Sequence, residues 1–438
     1  MTGEDNFDIV IVGAGVVGVA SAYYLQKANP GKRILVLDRL PAAGQGNTAM
    51  SAAAVRNMFS SQTNQLLTDT SIMFIKHVQN ELGYNIMFEN TGYLWLLGDD
   101  QFNDPSVKTW IERMNASKIH CKVYDKAQLK KMIPGLNTDF RGDDEAKLMN
   151  LKEVSHGLFG GDCGVVDPTR LVEFYLSEFV KIAQVRPRYG VDVTKLILEG
   201  NPKLDLPGEP FVWQNKGVVG VGTNKGDIRA ETVVLATDAW SNRLLDPIGI
   251  DSRTKAKKRQ MFVIHAEEKK GLRDLLYTKG FNALGCIPFT IVPSAGVYFR
   301  PQLQEKGFWV GCADKLGRAY DYIQRDDYAT AESAYYENSV YPVLSKYFPA
   351  FEGARPAGSW GGGYCYSPDA IPLVYKESGV IVANGTSGSG IMKADAVARI
   401  VDAVYRGQPD AELFGGRKIP STALSIKERK VEVESVII

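Results

Sequence analysis

Two hydrophobic patterns alternate along the chain. In the first, an unbroken apolar run meets a glycine turn and then a long alanine-rich or amphipathic stretch. "DIVIVGAGVVGVASAYYL" (8–25) predicts a buried strand over 8–12 and a helix over 15–28, and "RILVL" (33–37) a second buried strand. This βαβ opening implies a parallel sheet with right-handed crossovers. "NQLLTDTSIMFIKHVQNEL" repeats Leu67, Ile72, Ile75 and Val78 at helical spacing. "PTRLVEFYLSEFVKIA" is a helix with Pro168 in its first turn. "SGVIVAN" is a strand, followed by a glycine loop and the helix "IMKADAVARIVDAVYRG", which ends on Gly407 as C-cap. The second pattern begins after Gly92 with "GYLWLL" and is β-rich. It returns as a β-meander over about 211–235 and again over 254–312, in "QMFVIHA", "FTIVPSAGVYFRP" and "GFWVGCA". One helix, "YATAESAYYENSVYPVLSKYF" (328–348), follows it. The alternation predicts an α/β chain of interleaved domains.

Composition narrows the partners. Across 438 residues, 51 Lys+Arg balance 50 Asp+Glu, leaving no global field to draw nucleic acid. Cys121, Cys163, Cys286, Cys312 and Cys365 form no CxxC pair, and His77, His120, His156 and His265 lie at no metal-ligand spacing. Neither a disulfide framework nor a metal is expected. The opening "MTGEDNFD" is acidic and lacks the basic region of a signal peptide. The longest apolar stretch reads as strand and helix rather than as a membrane span. A cytoplasmic protein is expected, with loose membrane association through a partner left open.

The candidate chemistry starts at Gly13-x-Gly15-x-x-Gly18, with Asp38 closing the next strand twenty residues later. Gly13 permits a tight turn, Gly15 lets amides approach a pyrophosphate, and Gly18 lets helix and strand pack closely. The helix N-terminus supplies partial positive charge. Asp38 is placed to accept from both ribose hydroxyls, which disfavours NADP and leaves NAD and FAD.

Four further stretches separate those two. "DRLPAAGQGNTAMSAAAVRNMF", "GVVDPTRL", "VVLATDAWSNRLL" and "VANGTSGSGIMKADA", in this order and with "GVDVT" before the meander, resemble the FAD-dependent D-amino-acid oxidase and glycine/sarcosine oxidase family. Within it, "NTAMSAAAVRNMF" looks most like the branch of sarcosine oxidase and dye-linked L-proline dehydrogenase. The resemblance runs over nearly the whole chain and is densest at its two ends.

It implies a discontinuous Rossmann-like FAD-binding domain (1–90, 151–247 and 353–418) and a substrate domain on an antiparallel sheet (91–150 and 248–352), followed by a tail (419–438). By position, Gly13, Gly15, Val16, Val17 and Gly18 meet the pyrophosphate, and Asp38 and Arg39 flank the adenosine. Gly46, Asn47, Thr48, Ser51 and Ala52 line the flavin side. Val193 meets adenine through its backbone, and Thr237 to Trp240 sit near the ribityl chain. Gly363 and the loop Gly385–Gly390, with Ser387, Gly388, Ser389, Ile391 and Met392, lie beside the flavin ring. A helix N-terminus with two serine hydroxyls there would stabilise the negative charge that reduction puts on the pyrimidine ring. The same loop also reads as a plain strand–helix connection.

Arg56 falls where the branch places a guanidinium for the substrate carboxylate, and its planar fork suits two charge-assisted bonds. Capping a helix or pairing with a buried acid is the other reading. Tyr298 and Phe299 beside Arg300 either roof the substrate or are ordinary sheet residues. The implied chemistry is hydride transfer from the carbon beside a neutral amine, giving an imine.

The chain departs from the family in four places. No His stands near Gly46, and the position of the family's linking Cys falls nearer Gly362 than Cys365, so FAD is expected to bind noncovalently and Cys365 to be a packed thiol. Relatives carry SGHG where this chain has Ser387-Gly388-Ser389-Gly390. Where sarcosine oxidases use a lysine on the carboxylate, this chain has Met392, and Lys393 is rotated away by about 100° of helix. "KAKKRQ" (Lys255, Lys257, Lys258, Arg259) reads as a solvated basic turn rather than a strand reaching the flavin.

The expected activity is a dehydrogenase for a small amino acid, L-proline foremost, with a quinone or dye as acceptor. The alternatives are an oxygen-using sarcosine, glycine or D-amino-acid oxidase, a hydroxy-acid dehydrogenase, or a non-catalytic FAD-holding subunit. A homo-oligomer or a partner subunit is left open. "ALSIKERKVEVESVII" alternates charged and aliphatic residues and either packs along a partner or edges a sheet.

Overall fold

Residues 8–12 and 33–37 form the centre of the first sheet. In the computed structural model, which describes residues 6–267, 269–320 and 328–436, Asn6–Val12 pairs in parallel with Ile34–Asp38 on one side and Gly226–Leu235 on the other. Ile9 faces Ile34 and Val10 faces Leu35 across one ladder, and Val10 faces Val233 across the other. These strands are buried on both faces, which explains their unbroken apolar runs. The order continues through Val380–Asn384 to the antiparallel Leu373–Glu377 at one edge, and to Arg188–Tyr189 at the other. Helices Val16–Ala28, Gln62–Asn80, Pro168–Ile182 and Ala394–Arg406 cover one face. Lys216–Thr223 and Val193–Gly200 extend the other as an antiparallel flap.

The second sheet runs Gly358–Tyr366, Lys255–His265, Gly307–Cys312, Val297–Gln302, Phe289–Ile291, Tyr93–Leu97, His156–Gly160, Cys121–Asp125. All its pairs are antiparallel except Phe289–Ile291 with Tyr93–Leu97. Period-two alternation splits its faces. Leu94, Phe262 and Phe299 pack under helices such as Lys270–Leu276 and Tyr341–Tyr347, while Tyr93, Met261 and Tyr298 point to the other side. Phe299 thus packs in the core under the helices, while Tyr298, equally buried, packs on the opposite face, toward the cleft.

Four sequence expectations need correction. His156–Gly160 and Gly358–Tyr366, which the implied bounds put in the FAD-binding domain, pair within the second sheet; "GSWGGGYCY" hides its strand behind glycines of low β-propensity. "KAKKRQ" is no solvated turn. It opens the strand Lys255–His265, with Lys257 and Arg259 buried and both paired to Asp314. The meander begins earlier, with Val193–Gly200 as its first strand; 211–215 lie in turns, and its second strand starts at 216. The helix expected over 328–348 starts at Ser333 and widens to a π turn over Tyr336–Val340. Pro342 has no N–H to bond back to Asn338, and this removes an α-helical bond at that point. Among the described residues no helix is long and apolar enough to cross a membrane.

Candidate functional site

The turn after the first strand is held shut by its neighbours. Gly13 has φ +104°, and a Cβ there would lie 2.6 Å from the Ala236 carbonyl oxygen. At Gly18 a Cβ would overlap the Gly13 carbonyl itself. Gly18 therefore serves helix–strand packing and lies outside the cleft wall, while Gly13, Gly15, Val16 and Val17 line it. Asp38 also buttresses this turn. Its carboxylate accepts from the Ala14 amide at 2.7 Å and the Leu40 amide at 2.8 Å, leaving outer lone pairs for a ribose. Thr48 Oγ1 accepts from the Val16 amide at 3.1 Å, so a residue expected on the flavin side also caps the nucleotide helix.

From this turn the cleft follows the C-terminal ends of the parallel strands, where ligands of open α/β sheets bind. Val193, Arg39 and Trp240 border one end; the Arg39 guanidinium lies 5.2 Å from the Trp240 ring centroid, and Tyr328 packs edge-on to that ring. Gly46, Asn47, Thr48, Ser51 and Ala52 follow, with Asn47 Oδ1 accepting from the Gly363 amide at 2.9 Å. Residues 236–240 tie the two glycine elbows together: Ala236 touches the first, and Asp238 accepts from the Thr386 amide at 3.3 Å and hydroxyl at 3.2 Å in the second. Burial pushes the Asp238 carboxyl up to about 6 against those donors.

The second elbow brings Ser387, Gly388, Ser389, Gly390, Ile391 and Met392 to the cleft. A Cβ on Gly388 would overlap the Tyr364 ring. Gly385 packs against Ser367 and Thr254 instead of lining the cleft. Both serine hydroxyls are spent inside the loop, Ser389 Oγ on the Thr386 carbonyl at 2.6 Å and Ser387 Oγ on the Gly385 carbonyl at 3.2 Å. What remains for a ligand is backbone and the N-terminus of the following helix.

Opposite this elbow the second sheet contributes an aromatic wall that the sequence did not single out beyond Tyr298. Tyr93 stacks on Phe289 at 4.2 Å between centroids, and Phe289 on Tyr298 at 5.2 Å. Tyr364 and Phe59 close the same end. Arg56 enters here. It is 4% exposed and donates to the carbonyls of Met58 and, at 2.6 Å, Val436, with its guanidinium 3.9 Å from the Phe59 ring centroid. Among the described residues no carboxylate pairs with it, and burial holds it below the usual guanidinium range. The buried acid Glu434 acts on it through space, without an ion pair. Lys393 does point away from the cleft. It is fully buried beside Phe59, its Nζ has no hydrogen-bond partner among the described residues, and burial pushes it down to about 7.

These residues fit a dinucleotide carrying a flat ring. The first elbow gives close backbone approach, the second offers a helix N-terminus, and the cleft between them is continuous. Among the described residues no His, Cys or Lys side chain lines it, and Cys365 is buried behind it. The family model described as "FAD dependent oxidoreductase" matches residues 8–403. The FAD-dependent oxidoreductase domain-containing protein 1 of Xenopus laevis is 24% identical over 91% of this chain and 78% of its own length. Sarcosine oxidase subunit beta of Rhizobium meliloti is 24% identical over 85% and 77%. The crystal structure of L-proline dehydrogenase from P. horikoshii superimposes with a TM-score of 0.73 at 23% identity, covering 96% of this chain and 97% of that one.

Proposed function

The chain belongs to the DAO family of FAD-dependent oxidoreductases, and on that premise we propose that it oxidises the C–N bond of a small amino acid, L-proline foremost, and delivers the electrons to a quinone or dye. Arg56 carries this reading: a buried guanidinium with donors to spare and no ion-pair partner among the described residues can take a substrate carboxylate. Bound FAD supplies the hydride-accepting chemistry.

The chain's own residues bind and orient. Arg56 fixes the carboxylate, and the Tyr93–Phe289–Tyr298 wall flanks a compact apolar body. Met392, not an acid, lines the same cleft. With no carboxylate among Phe59, Tyr364 and that wall to hold an ammonium, the compartment favours an amine that enters neutral. That no lysine among the described residues lines the cleft supports a dehydrogenase over an oxidase of the lysine-assisted kind. That no His or Cys among them lines it supports noncovalent FAD. That a relative is itself designated a subunit supports a place for this chain in a larger assembly.

The test is an anaerobic panel of L-proline, sarcosine, glycine, D-amino acids and 2-hydroxyglutarate, read as bleaching of the visible flavin band. L-proline is expected to bleach it fastest, with dye reduction and without hydrogen peroxide under air. Acid precipitation is expected to leave the yellow colour in the supernatant. Bleaching by 2-hydroxyglutarate alone would discard the C–N assignment, and bleaching by none would point to a FAD-holding subunit.

A further inference from the structure

The tail does not edge a sheet beyond the short pair Asp410–Glu412 with Lys418–Pro420. Residues 425–436 run without regular structure back across the body of the protein, and 437–438 lie outside the described residues. Arg429 forms a buried ion pair with Asp369 at 2.8 Å. Glu432 accepts from the Thr63 amide at 3.1 Å. Glu434, 5% exposed, accepts from the amides and hydroxyls of Ser60 and Ser61 at 2.6–2.9 Å and from the Asn64 side chain at 3.2 Å. This is the N-terminus of the helix Gln62–Asn80, whose unpaired amides and dipole favour an anion. Burial alone would raise the Glu434 carboxyl, but the Ser60 and Ser61 donors hold it below the usual range.

A surface tail does not need so many buried bonds, and their effect falls on Arg56. Glu434 accepts from the Val436 amide at 3.0 Å, and the Val436 carbonyl accepts from Arg56. Ser435 and Val436 also form part of a second cavity, of about 1100 Å³, with Trp95 and Trp110 on its wall. Arg56 lines the flavin cleft and lies 5.5 Å from the Trp95 ring centroid. Arg56, on the cleft, and Val436, on the second cavity, thus meet between the two spaces.

We propose that the segment Arg429–Val436 is a working part of the substrate compartment, with Glu434 as a positioning residue that, through Val436, holds the Arg56 guanidinium in register for a carboxylate and seals the cleft from the second cavity. This rests on Arg56 being the carboxylate anchor. A guanidinium fixed by two carbonyls loses little freedom on binding, whereas one released into a hydrated opening must be re-ordered by every substrate molecule. The tail therefore acts on affinity, not on the chemical step.

Two variants test this, a chain ending at Lys430 and the full-length Glu434→Gln. Gln keeps the shape but turns an amide donor toward serine donors. The probe is pyrrole-2-carboxylate, titrated against the visible spectrum of the FAD-loaded protein, alongside KM and kcat for L-proline with a dye acceptor. Truncation is expected to raise Kd and KM at least about tenfold, with kcat within about twofold and FAD retained; about tenfold corresponds to 1.4 kcal/mol. Glu434→Gln is expected to move both in the same direction by a smaller factor. Kd and KM unchanged in Glu434→Gln, or a fall in kcat alone, would overturn the proposal, and this variant decides if the truncated chain does not fold. Arg56→Ala in the full chain separates the premises: if it leaves Kd unchanged, the anchor reading fails, and if it raises Kd while Glu434→Gln does not, only the tail's role fails.

Discussion

At the nucleotide end the cleft is walled by backbone. Gly13, Gly15 and the start of one helix come from a single βαβ unit within 38 residues, and Asp38 and Thr48 brace the turn through amides. At the end proposed for the substrate it is walled by side chains from distant positions: Arg56, Tyr93, Phe289, Tyr298, Tyr364 and Met392, with Val436 behind them. Backbone geometry is specified locally and accepts any dinucleotide of the right shape. Side chains converging from two sheets are specified only by the whole fold, and that is where one substrate can be told from another.

The most severe break of this contrast is Gly18→Val. Gly18 lies outside the cleft wall, yet a branched side chain would drive into the Gly13 carbonyl and splay strand from helix. Loss of the yellow holoprotein is expected, read as absent visible absorbance after reconstitution with FAD. A FAD-replete Gly18→Val protein would mean that the turn tolerates far more movement than its packing implies. Arg56→Ala, at the other end, should leave the flavin bound and the fold intact. It should raise KM by about 30-fold to several thousand-fold, from about 2–5 kcal/mol for a lost buried carboxylate partner. KM is the measurement, and an unchanged value removes Arg56 from the site.

The same contrast governs what the chain discloses before it folds. The glycine spacing, Asp38, the second elbow and most cleft residues are readable because each sits in a local pattern with a single use. Gly385 shows the limit: it belongs to the elbow by spacing, yet its positive φ serves packing against Ser367 and Thr254. The aromatic wall was only partly visible, because Tyr93 and Phe289 meet through a parallel pair in an otherwise antiparallel sheet, a register no local pattern encodes. "KAKKRQ" misled for a related reason. Charge density reads as exposure, but Asp314, far along the chain, gives Lys257 and Arg259 a buried partner. The tail's alternation was plain, yet its destination at a helix N-terminus was not.

Lys393 sharpens the comparison with the smallest effect. The substrate end keeps a fully buried amine that makes no hydrogen bond among the described residues, near Arg56 and Glu434, whereas the described part of the nucleotide elbow buries no such group. Burial lowers Lys393 from 10.5 to about 7 in the folded protein. As pH falls from 10.5 to about 7 the unfolded chain takes up a proton that the folded chain refuses, so native stability declines across that window and is constant below it. Lys393→Met should therefore stabilise the fold by about 1–4 kcal/mol at pH 6 and by progressively less toward pH 10. Calorimetric Tm values at the two pH extremes check this. A gain of equal size at both would mean that the benefit is packing against Phe59. A loss at pH 6 would mean that Glu434 pairs with the ammonium strongly enough to offset its burial, and the substrate end would then be as internally compensated as the nucleotide end.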